Sequence, residues 1–135
     1  LIGMRIAHVV STYPPYRGGM GNVARALVMR TAARGDDVRV VTPAGAGWCV
    51  RWGNAAWCPV LDRHLSVAQL VHFHWPFIGG CMPVLRWRRT DGARRLVVQY
   101  HMDLVGRGWR GIVFRAKPRW SGSRSTISTR CGTPT

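Results

Sequence analysis

The N-terminal part of the chain alternates short apolar runs with turn residues and one amphipathic stretch. Residues 5–10 are apolar and rich in β-forming side chains, which predicts a buried parallel strand. Apolar or small residues then recur with the spacing of one helix face, at Met20, Val23, Ala24, Leu27, Val28 and Thr31. Gly35 stands where a C-terminal cap is expected, and residues 38–41 predict a second strand. This order of strand, glycine-containing loop, helix and strand predicts the opening of a doubly wound α/β sheet.

The later elements follow the same alternation less regularly. Residues 70–74 and 96–100 predict two more strands, with a short helix over residues 82–88 between them. Residues 54–61 are compatible with a short helix or with an irregular segment, because Pro59 interrupts them. Another helix is predicted over residues 109–116. The expected fold is therefore a Rossmann-like α/β fold with a doubly wound parallel sheet.

The pattern changes after Lys117. Residues 118–135 are rich in serine, threonine and arginine and keep neither a helix nor a strand period, which predicts a disordered tail. We therefore expect one folded domain over residues 4–116, followed by a tail over residues 117–135.

The composition is that of a globular domain with an unusual charge. A hydrophobic content of 47% excludes a chain that is disordered throughout. No stretch long enough to cross a bilayer is free of polar residues, and no signal peptide is recognisable, so we expect a cytoplasmic protein. The net charge is +15, but the basic residues are nearly all arginines scattered along the chain. That scatter favours a coding bias, ahead of contact with an anionic membrane surface and well ahead of sequence-specific nucleic-acid binding.

The four cysteines, Cys49, Cys58, Cys81 and Cys131, form no C-x-x-C pair and no regular framework. This spacing favours free thiols over a disulfide or a zinc site, although pairing of two of them stays open.

A glycine-containing loop separates the first predicted strand from the first helix. Its glycines, Gly18, Gly19 and Gly21, leave room for close backbone approach, and the helix N-terminus that follows attracts phosphate or another anionic group. The spacing matches neither a P-loop nor G-x-G-x-x-G. A tight structural turn explains the loop equally well.

Histidines are the other candidate functional residues. His74 and His101 lie at the carboxyl ends of neighbouring predicted strands, the edge at which open α/β sheets bind ligands. An imidazole there can hydrogen-bond a sugar hydroxyl or a phosphate, or accept a proton. His72 lies on the same side of its strand as His74, but a metal site would need a third ligand, which the pattern does not supply. We therefore expect structural roles for His8, His64 and His72 and no metal site.

Asp103 follows His101 in a glycine-bearing loop. The two side chains are candidates for an acid–base pair, and a capped turn with an Asp–Arg pair is the slightly favoured alternative.

Taken in order, these motifs resemble the acceptor-side domain of GT-B glycosyltransferases, specifically the large retaining family 4. The matching runs are residues 4–9, 14–19, 33–35, 38–43, 53–57, 71–77 and 97–103. The likeness covers about residues 4–116, and it makes the expected sheet the incomplete N-terminal half of a GT-B fold.

This resemblance implies a metal-independent enzyme without a cofactor. It would transfer a sugar from a nucleotide-sugar to a saccharide or lipid-linked acceptor, often at the inner face of the cell membrane. His101 would be the catalytic cleft histidine, and Gly18 and Gly19 would face the donor diphosphate and the acceptor. The acceptor would lie along His74, Pro76 and Phe77, with Asp103 among the substrate-binding candidates.

The chain also departs from the family pattern. The family's second domain carries a Glu-x7-Glu motif, whereas this sequence contains no glutamate. We therefore expect a truncated fragment, explained by a frameshift or by a gene fragment that ends in unrelated codons, that is inactive alone because half of the cleft is missing. The alternative is a stand-alone module that binds acceptor or lipid, or that docks with a separate donor-domain chain.

Overall fold

The computed structural model describes residues 3–15, 18–52 and 55–101. Six strands, two α-helices and one 3-10 helix follow one another in the order β1 Arg5–Val9, α1 Gly19–Ala33, β2 Asp37–Val41, β3 Val50–Trp52, β4 Ala55–Trp57, the 3-10 helix Leu61–Leu65, β5 Leu70–Trp75, α2 Ile78–Arg89 and β6 Arg95–Tyr100. The four long strands and both α-helices confirm the corresponding sequence predictions. The predicted helix over residues 109–116 and the predicted tail lie outside the described residues.

The four long strands form one parallel sheet in the order β2-β1-β5-β6. Since β2 lies on one side of β1 and β5 on the other, the strand order reverses between β1 and β5. Such a switch point opens a crevice at the carboxyl ends of the strands, where ligands of open α/β sheets bind. The predicted class, an α/β fold with a parallel sheet flanked by helices, is confirmed at this level.

The two helices pack on opposite faces of the sheet. On the α2 face, Val84 and Trp87 of α2 pack with Val9, Val71 and neighbouring strand residues in the larger apolar core. On the α1 face, Met20 and Ala24 of α1 pack with Val10 in a smaller core. Successive residues of a strand point to opposite faces, so neighbours such as Val9 and Val10 serve different cores.

The segment between β2 and β5 differs from its prediction. Of the described residues 55–61, Ala55–Trp57 form β4, which pairs with β3 as an antiparallel hairpin in which Val50 lies opposite Trp57. The 3-10 helix follows this hairpin and contributes Leu61 and Leu65 to the core on the α2 face. Strands of three residues are too short to show a period of two, which is why the sequence pattern did not identify them.

The same hairpin contains a disulfide, so the favoured prediction of free thiols is wrong for two cysteines and the open alternative of one pair is confirmed. Cys49 and Cys58 form a disulfide with their Cα atoms 4.4 Å apart, while Cys81 is a free thiol and Cys131 lies outside the described residues. The two paired cysteines flank β3 and β4, one step beyond the Val50–Trp57 pair. Residues at such opposing positions lie within disulfide distance, a relation that becomes visible only once the hairpin is known.

Candidate functional site

The carboxyl edge of the sheet collects most of the predicted site residues. His74 is the last but one residue of β5, and His101 directly follows β6. The backbone N–H of His101 donates to the carbonyl oxygen of Trp75 at 3.0 Å, which extends the parallel ladder by one residue and holds His101 on the sheet. Gly18 and Gly19 stand at the N-terminus of α1, the helix that begins beyond the carboxyl end of β1.

Four histidines, His8, His72, His74 and His101, form a continuous cluster on the α1 face. Parallel pairing places His8 directly beside His72, and the strand period of two puts His74 on the same face as His72. The rings of His72 and His74 stack with centroids 4.7 Å apart, those of His8 and His72 lie 4.8 Å apart, and those of His74 and His101 lie 5.2 Å apart. We call these four residues the histidine cluster.

Hydrogen bonds connect the cluster into a chain that runs from the sheet interior to its edge. His8 Nδ1 lies 3.2 Å from His74 Nε2, and His74 Nδ1 lies 3.0 Å from His101 Nε2. His72 stands beside this chain, and its Nε2 lies 2.9 Å from Gln99 Oε1. Because an amide oxygen only accepts, His72 Nε2 carries the proton and its Nδ1 keeps the lone pair.

The buried end of the chain determines the direction of its hydrogen bonds. His8 is fully buried, and its Nε2 has no hydrogen-bond partner among the described residues. A buried N–H without an acceptor is rarer in proteins than an acceptor with an unused lone pair. The favoured arrangement therefore has His8 Nδ1 donating to His74 Nε2, and His74 Nδ1 donating to His101 Nε2. In that arrangement a neutral His101 keeps Nδ1–H as its remaining donor.

Burial keeps the histidine cluster uncharged. Desolvation, with a smaller contribution from His72, lowers the pKa of His8 to about 4. The same effect, strengthened by repulsion from its three histidine neighbours, lowers the pKa of His74 to about 3. Desolvation also lowers the pKa values of His72 and His101. At neutral pH the cluster is therefore a set of neutral imidazoles, each with one N–H and one lone pair.

The predicted site residues differ widely in accessibility. His101 and Pro76 are partly exposed, and Gly19 is exposed. His74 is completely buried beneath His101, with both ring nitrogens in contact with other histidines. Phe77 is also buried, in the core on the α2 face. Asp103 lies outside the described residues.

The glycine loop combines a structural glycine with an open one. A Cβ atom at Gly21 would lie 2.9 Å from the carbonyl oxygen of Thr12, so the close packing of α1 on this loop requires a glycine there. At Gly19 a Cβ atom would meet nothing within 4 Å. Gly21 therefore has a packing role, whereas the surroundings of Gly19 leave the N-terminus of α1 accessible.

His8 is the residue whose significance the sequence reasoning missed. The sequence pattern supplied no third candidate ligand beside His72 and His74, whereas β1 places His8 next to them, and one ring nitrogen from each of the three lies within 4.8 Å of the others. Pairing of β1 with β5 is a long-range feature that the local pattern does not contain. The sequence did contain one indication, because aligning the two predicted strands in parallel places His8 of β1 next to His72 of β5.

A depression of about 570 Å³ lies at the opposite, amino edge of the sheet, next to Arg5, Gln69 and Arg94. Gln69 Oε1 already accepts from the backbone of Arg5, and Arg94 already donates to Trp87 and Ser66 carbonyls. Its polar side chains thus stabilise the local backbone, and the carboxyl edge remains the better candidate site.

Searches of known protein families, of curated proteins and of solved structures find no match to this chain. Within the described ranges, neither α-helix combines the length and the apolar character that a membrane span requires. The candidate site is accordingly defined by its own geometry.

Proposed function

We propose that this chain supplies the acceptor-side part of a glycosyltransferase that uses a nucleotide-sugar donor. The observation that carries the proposal is the position of His101, which follows β6 at the carboxyl edge and is held there by the buried ring of His74. The resemblance of the motifs to family 4 assigns the cleft histidine to this position. The parallel sheet with its switch point between β1 and β5 supports the same assignment.

In this proposal His101 is a hydrogen-bond donor to the transferred sugar. Its Nε2 accepts from His74, so the neutral ring offers Nδ1–H to a hydroxyl oxygen of the substrate. A donor fixed in place by a buried partner loses little entropy when the sugar binds, and it can strengthen its bond in the transition state. His74 then acts through His101 and is a positioning residue, since it is itself buried.

The open N-terminus of α1 is proposed to face the donor diphosphate and the acceptor. The backbone N–H groups at Gly19 and beyond carry the positive end of the helix dipole, which favours phosphate. Gly19 is exposed, and a Cβ atom there would meet nothing within 4 Å among the described residues, which leaves room for a ligand at this backbone. Pro76, partly exposed after β5, is proposed to lie along the acceptor path.

Binding of substrates to the intact chain tests this proposal by NMR. The ¹⁵N-labelled protein is titrated with uridine- and guanosine-diphosphate sugars, and separately with polyprenyl-phosphate-linked saccharides in micelles. We expect shift changes at Gly19 and His101 and none at Arg95, which lies at the amino end of β6. Replacement His101→Ala should abolish them. Changes confined to the amino edge, or none with any ligand, would contradict the proposal.

A sugar-transfer assay separates the enzyme from a stand-alone binding module. We expect the chain alone to bind without turnover, because a second domain is proposed to be needed to fix the donor in line with the acceptor. Turnover by the purified chain would contradict that part of the proposal, whereas binding without turnover when a donor-domain chain is added would favour the binding module.

A further inference from the structure

The α1 face of the sheet is polar where a parallel sheet is normally apolar. The central strands β1 and β5 are covered on both sides in such folds and are expected to carry aliphatic side chains. Here His8, His72 and His74 occupy adjacent positions on these two strands, and His8 and His74 are completely buried. Each buried imidazole costs desolvation energy that an aliphatic side chain would not.

Hydrogen bonding within the protein does not account for this group of residues. The one hydrogen-bond contact of His8 is with the ring of His74, and its Nε2 has no partner among the described residues. A metal bound to His8 Nδ1 would place the proton of the ring on this unpaired Nε2, so metal binding must also offset the cost of a buried N–H without an acceptor among the described residues.

The spacing of the ring nitrogens suits a metal ion. Nitrogen ligands of tetrahedral zinc lie about 2.0–2.1 Å from the metal, and therefore about 3.3–3.4 Å from one another. His8 Nδ1 and His74 Nε2 are 3.2 Å apart. One nitrogen of His72 completes a set of three whose members lie within 4.8 Å of each other. The rings of His72 and His74 are stacked with an angle of 9° between their planes, so metal binding requires the rings to turn toward a common point.

The outer nitrogens of both β5 histidines are already held by side chains of the β6 side of the sheet. His72 Nε2 donates to Gln99 Oε1, and His74 Nδ1 contacts His101 Nε2. Histidine ligands in metalloproteins almost always make such a bond with the nitrogen that does not touch the metal. The bonds leave the lone pairs on His72 Nδ1 and His74 Nε2, and His74 Nε2 faces His8 Nδ1.

We propose that His8, His72 and His74 bind a divalent transition-metal ion that prefers imidazole ligands, with Zn²⁺ as its representative. We call these three residues the three-histidine site. It offers three neutral nitrogen ligands and leaves a fourth position for water or a ligand atom. The three proposed ligands are all imidazole nitrogens, which suit Zn²⁺, whereas Mg²⁺ and Ca²⁺ prefer oxygen ligands. The proposal rests on the geometry of the sheet and is independent of the proposed sugar transfer.

Metal titration of the full chain tests the site directly. After removal of metals by a chelator, the protein is titrated with Zn²⁺ by calorimetry, and with Co²⁺ while its visible absorption is followed. We expect one equivalent to bind, with the strong visible bands of four-coordinate cobalt, and no competition from excess Mg²⁺. Binding of no metal, or equal binding of Mg²⁺, would overturn the proposal.

Two sets of variants locate the bound ion. His8→Gln and His72→Gln should weaken Zn²⁺ binding more than about 100-fold, since loss of a partner that only orients a ligand typically costs about 10- to 100-fold. Gln99→Leu, which removes only the orienting partner of His72, should weaken Zn²⁺ binding by that smaller factor of about 10 to 100. His64 is the one histidine of the sequence outside the histidine cluster, and it lies in the 3-10 helix. His64→Gln is therefore the matched control and should bind Zn²⁺ as the wild type does. Equal loss in the control, or none in the ligand variants, would refute the site.

A measurement on the unmodified chain covers the case in which a ligand variant fails to fold. Imidazole ¹⁵N spectra are recorded before and after one equivalent of Zn²⁺. The proposal expects the lone-pair nitrogens of His72 and His74 to shift by the large amount that metal coordination causes, with His64 unchanged. Shifts only at His64, or at no histidine, would show that Zn²⁺ binds elsewhere.

Discussion

The two faces of the sheet use the same strands for opposite purposes. On the α2 face, Val9, Val71 and Phe73 pack with Trp87 in an apolar core. On the α1 face, the neighbouring positions of the same strands carry His8, His72 and His74, whose rings stack and two of which, His8 and His74, are hydrogen-bonded. A one-residue step along β1 or β5 thus changes an aliphatic core into a group of buried imidazoles. Burial alone therefore does not define an apolar core, because His8 and His74 are completely buried on the α1 face beside the small apolar core of Val10, Met20 and Ala24.

The largest effect is expected from a cavity on the α2 face. Trp87 is 2% exposed, and Trp87→Ala should lower the free energy of unfolding by about 3–5 kcal/mol, because it removes a large side chain from a core that cannot fully close. Met82 on the same helix is 66% exposed, and Met82→Ala is the control. Urea denaturation measures both. A loss below about 1 kcal/mol for Trp87→Ala would mean that the α2 face is not the main core.

Acid should lower the stability of the fold through the buried histidines of the α1 face, whereas the apolar core of the α2 face adds no dependence on pH. The pKa values of His8 and His74 are lowered from 6.5 to about 4 and about 3. Between these values and pH 6.5 the unfolded chain binds more protons than the folded chain does. The free energy of unfolding is therefore highest above pH 6.5 and falls as the pH decreases. Lowering the pH from 7 to 5 should therefore reduce the free energy of unfolding by about 2 kcal/mol for each of these two histidines.

Urea denaturation at several pH values, with a chelator present to keep the protein free of metal, measures this slope. His8→Leu should remove the share of the slope that belongs to His8, whereas Trp87→Ala should lower stability equally at all pH values. An unchanged slope in His8→Leu would show that His8 is not buried in its neutral form.

Reduction of the hairpin disulfide should have a smaller effect. The Cys49–Cys58 bond closes a short loop, so breaking it should cost about 2–3 kcal/mol. Thermal denaturation with and without a reductant measures the difference. Cys58→Ser should abolish the effect of the reductant, while Cys81→Ser, which changes the free thiol, should retain it. Equal melting of the oxidised and reduced wild type would mean that the hairpin contributes nothing to the α2 face.

The sequence predicted the elements whose signals are local. Two such signals are the apolar runs of β1 and β5 and the helical spacing of Met20, Ala24 and Val28. Each lies within a single segment, so it predicts its element without any knowledge of the fold. The position of His101 after β6 was legible in the same way. Strand ends meet at one edge of a parallel sheet, whatever the order of the strands.

The features that were missed depend on pairing between segments. The disulfide required the register of β3 and β4, and the third imidazole required His8 of β1 to lie beside His72 of β5. Sequence separation hides such contacts, because His8 and His74 are 66 positions apart. A local pattern identifies which face a residue occupies in its own strand, but not which residue lies beside it.

The smallest effects are expected at β6, where the contrast between the faces should disappear. Val97 lies on the α1 face beside His72, Val98 lies on the α2 face beside Phe73, and their exposed fractions are 43% and 46%. Val97→Thr and Val98→Thr should each change the free energy of unfolding by no more than about 0.5 kcal/mol, as is usual for surface substitutions. Urea denaturation of the two variants side by side gives the comparison, with the buried Val71→Thr as a control that should cost clearly more. A loss of about 2 kcal/mol in Val97→Thr alone would mean that another segment or a partner covers the α1 face at β6 in solution. The buried part of the α1 face would then extend from β1 and β5 to β6.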